Sequence, residues 1–318
     1  MTGKAQTVMP AQGVIRIPLT VLHNARFDVY KANVSVGIGN LNPMPMGFDT
    51  GSAGLHVFAA AKLDRPGSGV TCSNTPVTFT VGNPGRVTYT GVMCSAPLHF
   101  QGFTTPEPVP IAYLSSAACA RTNPGCKIPD VASARAHGGT YGVFGAGITG
   151  AMPVTNPILT LPPPYGSIFS IALSHERGEL TLGAQEPAGA VPFSLSPGTR
   201  SGVKWQFAQT CLYVNGNPTN TCLAVSFDTG NGVPWIRDAN ASAIPQSNGL
   251  VIPSTRIGFG PLGASREATD VVAGTSFANR IKVESTTGAP LTNTGIAAFF
   301  GHVVTYDNVH GTISVAPQ

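Results

Sequence analysis

Charge is what this 318-residue chain has least of: Asp, Glu, Lys and Arg together make up 10% of it, against roughly a quarter in an average soluble domain. The 18 Lys and Arg are scattered. No basic run could follow a phosphate backbone, so nucleic acid is not an expected partner. No apolar stretch approaches the length that spans a bilayer, and no membrane span is expected. Residues 1–13 lack the basic and apolar regions of a signal peptide and read as a leader or tail. Long helical periodicity is missing, as is any CxxC pair. His99, His137, His175, His302 and His310 lack metal-ligand spacing, so no metal is expected. The glycine-rich Gly142–Gly147 has neither the lysine nor the βαβ context of a phosphate loop.

What is present points to strands. The chain is 42% hydrophobic, with 38 Gly and 28 Pro as punctuation, a mixture that favours many short strands joined by turns. Apolar residues alternate at Val34, Val36 and Ile38, at Val77, Phe79 and Val81, and through the run from Val203 to Val214. Gly82-Asn83-Pro84-Gly85, Asn215-Gly216-Asn217-Pro218 and Asn308-Val309-His310-Gly311 are turn signals between such runs. Short helices are expected near Val131–His137, Ala239–Ile244 and Ile296–Phe300. The length allows two cores. The Pro- and Gly-containing stretch Gln185–Ser201 suggests a division into residues 14–185 and 186–318.

Six cysteines, Cys72, Cys94, Cys119, Cys126, Cys211 and Cys222, allow fifteen pairings. Sequential pairing would close three modest loops. Disulfides imply an oxidising compartment, so an extracellular or cell-surface location is expected, as a domain of a longer protein.

The informative event is a repeat. Phe48-Asp49-Thr50-Gly51 returns as Phe227-Asp228-Thr229-Gly230, 179 residues later. One Asp-Thr-Gly reads as an ordinary Asx-type turn. Two copies, one in each half and each leaving an apolar run, ask for a shared purpose. Two carboxylates held about 3 Å apart cannot both ionise, so they share a proton and divide the roles of acid and base, as is already established for aspartic-protease dyads. Threonine offers a hydroxyl and an N–H to anchor each loop, and glycine permits a tight turn with its amide aimed at a carboxylate.

From about Val14 to its end the sequence resembles the pepsin-like aspartic proteases. Phe48-Asp49-Thr50-Gly51-Ser52 with Leu55-His56-Val57 resembles the first catalytic loop and the strand after it. Gly142-Val143-Phe144-Gly145-Ala146-Gly147 resembles the segment that crosses behind that loop. Phe169–Leu173 and Gly178–Gly183 resemble the strand pair before the crossover between lobes. Val225–Gly230 resembles the second catalytic loop, and Val304–Asp307 with Gly311–Pro317 the closing strands. The Gly/Ala-rich, lysine-poor composition is also similar to the protease domains of mycobacterial PE-PGRS surface proteins.

The resemblance implies an all-β, two-lobed fold with a cleft, a monomer that hydrolyses internal bonds of a peptide or protein substrate, and no cofactor. Asp49 and Asp228 would be catalytic, with Thr50, Gly51, Ser52, Thr229, Gly230 and Asn231 supporting them. The sequence departs from the family at three places. His56 stands where a tryptophan usually meets the flap tyrosine; it either replaces that contact or simply packs. Asn231 replaces a Thr or Ser, so an amide would stand in for a hydroxyl at Asp228. The flap should lie in Val77–Leu98, its base tied by Cys72 and Cys94, with Tyr89 or Phe79 as its aromatic. These departures leave a second expectation open, a binding module with impaired turnover.

Overall fold

A computed structural model describes residues 13–25, 28–81, 87–120, 126, 128, 130–149, 154–199, 203–239, 241–276, 279–284 and 289–318. Residues 1–12 of the expected leader and the Gly82-Asn83-Pro84-Gly85 turn lie outside the described residues. Among the described residues the strands form two sheets, of fifteen and nine strands. No helix there is long and apolar enough to cross a membrane.

Alternation sets the strands. In Ile15–Asn24, Ile15, Ile17, Leu19 and Val21 are buried while Arg16, Pro18, Thr20 and Leu22 between them are exposed. A slip of one residue would turn the apolar set to water, at about 1.5–3 kcal/mol for each large side chain. The Asn-Gly signal does what its chemistry requires. Asn215 and Gly216 have φ of 52° and 81°, and they join Ala208–Val214 to Asn217–Ser226 in the backbone conformation that twisted hairpins favour.

The run expected from Val203 begins as a strand only at Ala208. Before it, Trp205 donates its indole N–H to the Asn308 carbonyl at 3.0 Å and bridges Thr149 and Pro197. Those contacts override the alternation. The three short helices form at Val131–Gly138, Ala241–Ala243 and Ile296–Phe299. The first starts where the Asp130 carboxylate accepts the Ser133 N–H at 2.7 Å.

One device is built twice. Met44–Asp49 leads into the first Asp loop and Ala53–Phe58 leaves it, while Gly142–Ala146 threads between them, parallel to the first and antiparallel to the second. Later, Asn217–Ser226 leads in and Trp235–Arg237 leaves, with Leu291–Asn293 threaded between in the same two senses. Each threaded strand arrives from far along the chain and clamps both legs of its loop. The loops therefore project from the ends of fixed strands.

The larger sheet also ties the chain's late segments to its early ones. Val191–Ser194, within the stretch expected to connect the halves, pairs with Thr312–Pro317, and His302–Asp307 pairs with Ile168–Leu173. Phe48 and Phe227 consequently share the largest core cluster. Phe48 stacks on Phe144 at 5.9 Å and Phe227 meets Phe193 edge-on at 5.1 Å. A second cluster around Leu212, Ile236 and Phe259 fills the later half.

The cysteines pair sequentially: Cys72 with Cys94, Cys119 with Cys126, and Cys211 with Cys222. The first and third pairs join residues directly opposite each other in antiparallel hairpins.

Candidate active site

The two threonines lock the loops together. The Thr50 hydroxyl donates to the Phe227 carbonyl at 2.8 Å and accepts the Thr229 N–H at 3.0 Å. The Thr229 hydroxyl donates to the Phe48 carbonyl at 2.8 Å and accepts the Thr50 N–H at 3.1 Å. Both threonines are buried. Four reciprocal bonds in a dry setting leave each loop no independent position.

The glycines let the carboxyls approach. A methyl added at Gly51 would overlap the Asp228 carboxyl, and one added at Gly230 would overlap that of Asp49. Each amide instead turns inward: Gly51 N–H donates to Asp49 Oδ1 and Gly230 N–H to Asp228 Oδ1, both at 2.8 Å.

The second oxygens are served differently. Asp49 Oδ2 accepts the Ser52 hydroxyl at 2.6 Å. Asp228 Oδ2 accepts the side-chain amide of Asn293 at 2.6 Å. Asn231 does not reach that carboxylate with its side chain; it donates its backbone N–H to Oδ1 at 3.2 Å, and its amide holds Asn293 Oδ1 at 3.0 Å. The amide standing in for a hydroxyl is therefore Asn293, which sequence reasoning missed. Nothing local in the sequence marked it. Only the strand pairing shows that Leu291–Asn293 occupies the same place relative to its Asp loop as Gly142–Ala146 does to its own.

Asp228 opens toward the cleft on one edge. Loss of water contact, and then the neighbouring Asp49 carboxyl, raise its affinity for a proton well above the usual carboxylate range, against the pull of Asn293 and Gly230, whose N–H groups favour the ionised form. The pair, and not either residue alone, is what titrates.

A cleft of about 560 Å³ opens over both aspartates, with Ser52, Asn231 and Trp235 in its lining. The hairpin Thr71–Val81 and Val87–Ala96 overhangs it, with Cys72 bonded to Cys94 near its base. Phe79 and Tyr89 face each other across this hairpin. Phe79 lines the main cleft, and Tyr89 lines a smaller cavity of about 200 Å³ that also touches Asp49. His56 is wholly buried and stacks on Phe79 at 3.7 Å between ring centroids. Neither ring nitrogen makes a hydrogen bond. Burial lowers its pKa to about 4, and the Gly54 backbone offsets part of that. The imidazole thus touches the overhanging hairpin through its face and not through a polar atom.

The chain superposes on the crystal structure of aspartic proteinase from Irpex lacteus with a TM-score of 0.59, covering 96% of this chain and 98% of that one at 15% identity. The chain has a two-lobed, pepsin-like fold. At that identity the likeness speaks to fold and not to catalytic residues. No family model and no curated protein matches the chain. The narrower likeness to PE-PGRS surface proteins, drawn from composition, gains no support from these comparisons.

Proposed function

We propose that this pepsin-like chain is an aspartic endopeptidase in which Asp49 and Asp228 activate a water held between them. The observation that carries this reading is the mutual fit of the loops: each glycine stands where any side chain would strike the opposite carboxyl. Two acids so placed, one with a raised proton affinity, suit a reaction that needs a base and an acid at once. Asp49 takes the water's proton as the oxygen attacks the scissile carbonyl. Asp228, which holds the shared proton, donates to the carbonyl oxygen as its charge develops. Thr50, Thr229, Ser52 and Asn293 keep the carboxyls in register through the hydrogen bonds they make to the two loops.

The three disulfides suit an exported or cell-surface protein. The reading is tested with a diverse peptide mixture between pH 3 and 7, with and without a pepstatin-like inhibitor. Asp49→Asn and Asp228→Asn should each lower kcat/KM by about a thousandfold or more, with folding intact by circular dichroism. Wild-type turnover in either variant would refute the mechanism.

A further inference from the structure

The smaller cavity beside Asp49 contains polar groups that the reaction does not use. Lys31 and Asn33 sit two apart on the strand Val29–Ile38, so both side chains leave the same face, and both line this cavity. Lys31 is partly buried and forms no hydrogen bond or ion pair with any described residue, Asp49 included. Loss of water contact lowers its pKa. Asn33 is 8% exposed, and its Oδ1 has no hydrogen-bond partner. Gly47, directly opposite Asn33 in the next strand, has no side chain to fill the space. Phe58, Tyr89 and Ala134 supply apolar walls.

An unpaired ammonium in a half-dry cavity is costly unless an acceptor enters to meet it, and the Asn33 amide, none of whose bonds fixes its orientation, can turn to offer its N–H to the same acceptor. Gly230 also lines this cavity, which therefore adjoins both catalytic loops and lies within reach of a peptide stretched over them. By contrast Lys282, in the main cleft, already interacts with a neighbour. We propose that Lys31 and Asn33 form a specificity pocket for a carboxylate side chain, so that the preferred substrates are peptides with Glu or Asp near the cleaved bond. The proposal rests on the endopeptidase reading for its setting. The ammonium supplies the charge, and the Asn33 amide can turn its N–H toward the second oxygen. The apolar walls strengthen the pair by excluding water.

The test uses peptides that differ only as Glu or Gln at one position, moved across three residues on each side of the cleaved bond. At pH 5.5 one position should favour Glu over Gln in kcat/KM by about tenfold. That ratio should fall to about one in Lys31→Met and below one in Lys31→Glu, and should persist in Lys31→Arg. It should also shrink at pH 3, where the peptide carboxyl, with an ordinary pKa of about 4.3, takes up its proton. A wild-type ratio near one at every position, or a ratio unchanged in Lys31→Met, would overturn the pocket. If no peptide is cleaved, the endopeptidase reading fails, and the same Glu/Gln pairs built around a statine are measured by calorimetry. A Glu preference that requires Lys31 upholds the pocket there, and its absence rejects it.

Discussion

The two Asp loops carry the same tetrapeptide yet finish their carboxylates differently. Asp49 receives its outer donor from Ser52, three residues on, whereas Asp228 receives it from Asn293, 65 residues on. The first arrangement is local and survives wherever the loop goes. The second exists only because Leu291–Asn293 threads beside Asn217–Ser226. What the two halves share is the need for a donor at each outer oxygen, and the fold meets that need from whichever segment lies close.

The comparison is broken most severely by removing the space the halves share. Gly51→Ala and Gly230→Ala each force a methyl into the opposite carboxyl, and each should lower kcat/KM by at least about a hundredfold, a scale typical of misplaced catalytic groups. Unequal losses would show that one loop can yield where the other cannot.

A smaller effect separates the local donor from the distant one. Ser52→Ala and Asn293→Ala each leave a carboxylate oxygen short of one bond, and each should reduce kcat about ten- to a hundredfold with KM little changed. Both losses remove a bond that favours the ionised form, so the acid limb of the pH profile should move upward. Asn231→Ala acts through Asn293 and should move that limb the same way by less. An unmoved limb in Asn293→Ala would mean that this amide has only a packing role.

The smallest expected effect concerns the contact between His56 and the hairpin over the cleft. A histidine whose folded pKa is lowered from 6.5 to about 4 stabilises the fold fully above 6.5, and that contribution is lost as pH falls toward 4. His56→Phe keeps the stack on Phe79 without a titrating ring. Relative to the wild type it should gain up to roughly 3 kcal/mol more at pH 4 than at pH 7, read as a pH-dependent difference in Tm. An equal shift at both pH values would show that His56 does not limit acid stability.

Much of the architecture was legible in sequence because it is written locally. Period-two burial in Ile15–Asn24 and positive φ at Asn215 and Gly216 follow from side chains that see only their near neighbours. Ser52 was named through the family resemblance, and the bond it makes to Asp49 is itself local, three residues away. Asn293 was not, since a Leu-Thr-Asn run carries no mark of the aspartate it will meet. Trp205 shows the converse: alternation continued through Val203–Phe207, but a contact to Asn308, 103 residues away, decided the conformation there.

The amino-acid order alone determined the loops themselves: Asp, Thr and Gly repeated after Phe, with each aspartate accepting an amide two residues on. Such bonds close tiny rings, at little entropic cost, whatever the rest of the chain does. Tertiary structure decided which loops face each other, which amide completes Asp228, and that Lys31 and Asn33 open beside Asp49. Those contacts span tens to nearly two hundred residues, and they form only when burial of a common core, with Phe48 and Phe227 inside it, outweighs the chain entropy lost in bringing them together.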